Sequence, residues 1–294
     1  LGGCGGHMDP PTAYVFPETY DRIVVVKGPQ TVTRGPGNSA ATVSFERDAP
    51  RFEQAGYDAR ASALGASADR RDLVADLRFG TPRGYGELTG TQAGADDYED
   101  GDGTTVHSAY ERWSATGALG WTPDARTRVE VTGILSDGEA AYAYRSMDGV
   151  AFERENVGLR FERSDLAPRV PMLEAQLYYN YVDHVMDNYS MRGLPASGMM
   201  ATRAVNNPDR RTTGGRLELG LAGSGGRTAR VGADLQENQH SLRTTRNQDV
   251  TRYQDQTRMD DAWFRSIGLF AEGTQPLGER DRLVAGLRTY FWAA

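Results

Sequence analysis

Four soft donors stand out in this chain of 294 residues. Cys4 is its only cysteine, and Met8 follows four positions later. Gly2, Gly3, Gly5 and Gly6 crowd the thiol, and Asp9-Pro10-Pro11 closes the segment. On a helix that spacing would bring thiol and thioether to one face, but four glycines and a double proline disfavour a helix. The segment reads as a flexible loop able to fold both donors around one ion. The second pair is His184-Val185-Met186. Ahead of it, Leu173, Ala175, Leu177, Tyr179 and Tyr181 share one parity, and Glu174, Gln176, Tyr178 and Asn180 the other. His184 and Met186 fall in the polar set, so a strand places both on one face, two residues apart. A thiolate, two thioethers and an imidazole suit Cu(I) and disfavour Mg, Ca or Mn. The plain alternative is structural, with Cys4 an inert buried thiol and Met186 packing filler. His7 could compete as a ligand, but reads as a solvated loop histidine. Met147, Met191, Met199, Met200 and Met259 lie in or beside polar stretches, as secondary soft-metal contacts or as the lining of loop interiors.

The elements that must position these donors are strands. From Phe52 onward the periodicity is two, not 3.6. Leu217, Leu219 and Leu221 interleave with Arg216, Glu218 and Gly220, and Ala229, Val231, Ala233 and Leu235 with Arg230, Gly232, Asp234 and Gln236. Val157-Leu159-Phe161, Val129-Val131 and Leu73-Ala75-Leu77 follow the same rule, giving about eleven strands in all. A soluble sandwich with one wet face would alternate as well. Connection lengths separate the two. Long polar stretches at 94–108, 137–155, 187–211 and 241–260 alternate with tight links at Thr81-Pro82-Arg83, Thr122-Pro123-Asp124, Pro168 to Pro171, Ser224-Gly225-Gly226 and Pro276-Leu277-Gly278. That segregation belongs to transmembrane β-barrels with short inner turns and long outer loops. Trp113, Trp121, Tyr179, Tyr181, Trp263, Phe264, Tyr290 and Trp292 lie near strand ends, where interfacial girdles belong.

The first fifty residues carry a resemblance. Tyr20-Asp21-Arg22-Ile23-Val24-Val25-Val26-Lys27-Gly28-Pro29-Gln30, then Gly35-Pro36 and Thr42-Val43-Ser44-Phe45, resembles the end of the plug domain of TonB-dependent outer-membrane receptors. With Cys-Gly-Gly-His-Met upstream, the segment is most similar to the copper-receptor branch. The resemblance implies that the plug Cys-x-x-x-Met and the barrel His-x-Met together form a copper site, here Cys4, Met8, His184 and Met186. It also implies a plug domain over 1–51 and a barrel over 52–294, with energy from the TonB complex of the inner membrane. The protein would then bind and import copper through the outer membrane of a Gram-negative bacterium, its outer face against lipid. A plugged lumen goes with about 22 strands, so about half a barrel is expected, truncated at both ends. A siderophore or other chelate receptor, and a copper-sequestering surface protein that never transports, are the alternatives.

Several function classes are set aside by composition. A net charge of −7 offers no clustered basic surface for nucleic acid. No apolar run approaches the roughly 20 residues of a spanning helix. One cysteine cannot build an internal disulfide. There is no nucleophile elbow, His-Glu-x-x-His pair or phosphate loop, so the chain does not read as an enzyme. The run Asp96-Asp97-Tyr98-Glu99-Asp100-Gly101-Asp102 lacks EF-hand spacing and reads as a solvated outer loop that mildly concentrates cations.

Overall fold

A computed structural model describes residues 15–28, 31–35, 41–198 and 200–294. Cys4, His7, Met8 and Met199 lie outside the described residues. Two short strands, β1 (Arg22–Lys27) and β2 (Ala41–Glu46), pair antiparallel. Then come β3 (Gly56–Ala66), β4 (Arg70–Thr81) and β5 (Gly84–Ala95), followed by a two-residue ribbon of β6 (Tyr98–Glu99) and β7 (Thr105–Val106). The remaining strands are β8 (Tyr110–Trp121), β9 (Thr127–Ala140), β10 (Asp148–Ala167), β11 (Val170–Asp187), β12 (Val205–Ala222), β13 (Thr228–Thr245), β14 (Met259–Pro276) and β15 (Arg282–Ala293). Apart from β1, β2 and the β6–β7 ribbon, the strands form one antiparallel sheet of eleven, ordered as in the sequence. No α-helix occurs among the described residues.

The two faces of this sheet are inverted relative to a soluble protein. On β4, Leu73 is 50% exposed while its neighbour Asp72 is 7% exposed. On β12, Leu217 is 49% exposed and Glu218 only 2%. A soluble sandwich buries its leucines and wets its carboxylates, so the apolar face here has lipid as its natural cover. Trp113 and Trp121, on one parity of β8, both face outward. Eight residues along a strand rise roughly 26 Å, and the tilt of a barrel shortens that to about the height of an outer-membrane apolar band.

Charges on the enclosed face neutralise one another. Arg60 pairs with Asp76 at 2.6 Å, Arg128 with Glu162 at 2.6 Å and Arg160 with Glu174 at 2.9 Å. Glu218 is gripped by Arg216 and Arg230. The N-terminal segment lies against this same face. Glu272 on β14 accepts from Thr31 Oγ1 at 2.8 Å and from the Val32 N–H at 3.0 Å. Arg288 on β15 donates to the Val32 carbonyl at 3.2 Å, and Arg78 on β4 reaches Asp21 at 3.3 Å.

Connection lengths alternate, with shifted bounds and one exception. The long stretches shrink to 96–109, 141–147, 188–204 and 246–258, because strand ladders extend into them. The greatest change is at 137–155, where β9 and β10 leave only seven residues outside. Extended strands satisfy their own backbone groups, which a polar loop of that length would leave to water. The exception is β3 to β4, joined at the outer rim by residues 67–69, with Ala68 and Asp69 at φ of 56° and 48°. Two successive positive φ values give the tight turn that a twisted hairpin favours. The tight inner links lie at the other rim, as the pairs Ala167↔Val170 and Ala222↔Thr228 show.

Candidate metal site

His184 and Met186 close the outer end of β11. His184 has no exposed surface, and Met186 is 4% exposed. Their parity is that of Glu174 and Asn180, while Leu177 and Tyr179 face outward, so both donors lie on the enclosed face.

Neighbouring strands shape the pocket around them. Met186 stands opposite Gly149 on β10 and Asn206 on β12. The ladder to β10 slips by one residue between Gly149 and Ala151, directly beside Met186. Such bulges re-aim side chains and collect beside functional sites. Phe152 lies next to this bulge, its ring 4.8 Å from the imidazole of His184 and tilted by 46°. Gly149 makes room for that ring, since a Cβ there would collide with it. The Asp137 carboxylate accepts from the Phe152 N–H at 2.9 Å and fixes the backbone below the ring.

Above the donors, the outer connections are tied down by buried carboxylates. Asp148, opposite Asp187 in the ladder, accepts from Arg192 Nε at 2.7 Å, His107 Nε2 at 3.0 Å and the Tyr142 N–H at 2.9 Å. One carboxylate thus joins three separate connections. Asp187 accepts from the N–H groups of Tyr189 and Ser190 at 3.0 and 2.8 Å, and Asn188 donates to the carbonyls of Met200 and Thr202. On the β12 side, Arg258 reaches Asp183 at 2.9 Å. A cavity of about 340 Å³ between Phe16 and the wall is lined among others by Tyr110, Arg112, Tyr142 and Phe152, the residue whose ring meets the imidazole.

The structure therefore brings His184 and Met186 together in a buried, rigidly framed position. Cys4 and Met8, the other half of the expected set, lie outside the described residues. Met147, Met191 and Met200 are half-buried, and Met259 is 67% exposed. Among the described residues, no group of three or more His, Cys, Asp or Glu is placed to hold a metal ion. Sequence reasoning missed Phe152, Asp148 and Asn207. Only the last left a signal, through Pro208 inside a strand pattern.

No protein-family model and no curated protein matches the chain. Among solved structures, "Copper transporter OprC" superposes with a TM-score of 0.95 over 99% of the chain, at 43% identity. The chain belongs to the TonB-dependent outer-membrane receptor family. The FrpB iron transporter from Neisseria meningitidis (TM-score 0.72, 16% identity, 95% of this chain, 48% of that one) shares the receptor fold. So does the ferric-catecholate import receptor Fiu from E. coli K12 (TM-score 0.66, 11% identity, 92% of this chain, 49% of that one). The receptor chain spans about half the length of these proteins, and 46% of the copper transporter. They are transporters and receptors, not enzymes, in keeping with the missing catalytic constellation. Among the described residues no helix is long and apolar enough to cross a membrane, and the strands carry that role in this family.

Proposed function

We propose that this receptor binds copper and imports it across the outer membrane of a Gram-negative bacterium. Residues 1–51 are the end of a plug and 52–294 the first half of a barrel of about 22 strands, closed by chain beyond this stretch. The metal site comprises Cys4 and Met8 from the plug with His184 and Met186 from the wall, and the ion is held as Cu(I). Energy comes from the TonB complex, and the outward apolar face sits in outer-membrane lipid. The observation that carries this reading is the His184–Met186 pair, buried on the enclosed face, in a chain 43% identical to a copper transporter. Soft donors at a closed position select a soft ion. The iron and siderophore receptors share the fold at identities too low to extend their substrates to this chain.

The test is Cu(I) titration of the full-length protein against a competing chelator, with radioactive copper uptake measured in cells with and without TonB. Cys4→Ala removes the only anionic ligand and should weaken binding far more than Met186→Ala. His7→Ala should leave it nearly unchanged. Equal losses for His7→Ala and Cys4→Ala would mean a different ligand set. Tight binding with TonB-independent accumulation would make the protein a sequestering one.

A further inference from the structure

Pro208 lies within β12, where a proline removes one ladder hydrogen bond. The β11–β12 register is continuous from Asp183↔Asp209 to Met186↔Asn206, yet positions 184 and 185 do not pair with 208 and 207 between them. Both pairings need the N–H of residue 208 to reach the carbonyl of His184. Toward β13 the ladder runs unbroken through Pro208↔Leu242, so the missing donor is one that would face β11. The carbonyl finds another partner, since Asn207 Nδ2 donates to it at 3.0 Å. That amide also donates to Asp183 Oδ1. Its own Oδ1 accepts from Arg243 Nε at 2.7 Å and from Arg258 Nη2 at 2.9 Å. Both donors and both acceptor positions of the amide are used, and Asn207 has no exposed surface.

We propose that Asn207 is a positioning residue for His184. Its side chain supplies the hydrogen bond that Pro208 withholds, and so fixes the backbone from which the imidazole projects. Arg258, brought in at the end of connection 246–258, orients the amide. A regular residue at 208 would close the ladder from the strand itself. The Pro208–Asn207 pair hands the task to a side chain that an outer connection also grips. Set by this clamp on one side and by Phe152 on the other, the ring is aimed before the ion arrives. This inference rests on the copper reading above and adds a residue that touches no metal.

The test uses the full-length protein, Cu(I) titration against a competing chelator, and X-ray absorption at the copper edge to count nitrogen ligands. Partners of this kind contribute about 10- to 100-fold to metal affinity. Asn207→Ala should weaken Cu(I) binding by about 10-fold and reduce the nitrogen signal. Combined with His184→Ala it should add no further loss. Asn207→Ala with Pro208→Ala returns an N–H opposite the carbonyl and should recover most of the affinity. Arg258→Lys, which keeps the charge beside Asp183 and Asp209 but loses the fork that grips the Asn207 amide, should lower the nitrogen signal with the fold retained. An unchanged nitrogen signal in Asn207→Ala and Arg258→Lys, with binding lost in His184→Ala, overturns the positioning role. So does a fully additive loss in the double variant with His184→Ala. Undiminished binding in His184→Ala itself overturns the copper reading, and this inference with it.

Discussion

The middle of the enclosed face and its outer end solve the same problem differently. In the middle, polar groups are charged side chains that neutralise each other across strands, as Arg128 does with Glu162 and Arg160 with Glu174. The ladders there are regular, and every second residue faces lipid. At the outer end, residues 182 to 188 are all at least half-buried, whichever way they point. Polar groups there are held by backbone atoms, by Asn207 and by carboxylates that tie connections together. A bulge beside Met186 and a proline opposite His184 interrupt both flanking ladders. Hard ion pairs thus occupy the regular part of the wall, and the soft donors sit where regularity has been given up. The regular ion-paired ladder and the irregular end that carries the proposed ligands are separated along the same strand.

The strongest way to break this comparison is to remove a charge from the middle. Glu218→Ala leaves Arg216 only the more distant Asp234, at 3.7 Å, and Arg230 unpaired toward solvent, and should cost about 2–4 kcal/mol. Urea unfolding of the full-length protein in bilayers measures it, and a loss under about 1 kcal/mol would mean the interior is wetter than its burial implies. Leu217→Arg, one residue away on the lipid face, should cost about 2–4 kcal/mol near mid-membrane in the same assay. A soluble sheet would tolerate arginine at a half-exposed site, so a neutral result would remove lipid from that face. Asp148→Ala should act locally, leaving the Tyr142 N–H and Arg192 short of a partner, at about 1–3 kcal/mol. Hydrogen exchange should then quicken in 141–147 and 188–198 while the middle of β12 stays protected.

The smallest effect concerns the acidic outer connection. Backbone N–H groups of Ser108 and Ala109 hold the Asp97 carboxyl below the usual range. Because its folded pKa is depressed, its contribution is full at neutral pH and is lost as pH falls through that lowered value. Exchange in 96–109 should therefore stay slow down to about pH 4 and rise below it. Asp97→Asn should flatten that dependence.

How much of this was legible in the sequence follows the same division. Leu217 beside Glu218 announced both the strand and its inverted faces, because lipid and lumen impose opposite chemistries on adjacent residues. Beyond the membrane that contrast ends. The stretch 137–155 therefore read as a loop, although most of it continues β9 and β10. The turn at Ala68–Asp69 escaped notice because Ala68 is not a usual positive-φ choice. That His184 and Met186 share the enclosed face was legible by parity. The bond between Asp148 and His107 spans 41 positions, and that between Asp148 and Arg192 spans 44, distances no local pattern encodes. Asn207 could have been suspected from Pro208, since a strand that tolerates proline must find its missing bond elsewhere.

The length of β11 carries one more consequence. It has 18 residues, whereas about 9–11 suffice to cross the hydrocarbon. Counted from Val170, the crossing ends near Tyr179, an outward-facing aromatic of the kind that marks the boundary with the head groups. His184 and Met186 then stand roughly 16 and 23 Å further out along the strand. An ion reaching them has not yet entered the depth of the oily layer. On the copper reading proposed above, the ion would exchange its water shell for sulfur and nitrogen on the near shore, where discarded water returns directly to the bulk. On that reading recognition would be completed ahead of the crossing, leaving the passage below to handle only cargo already chosen.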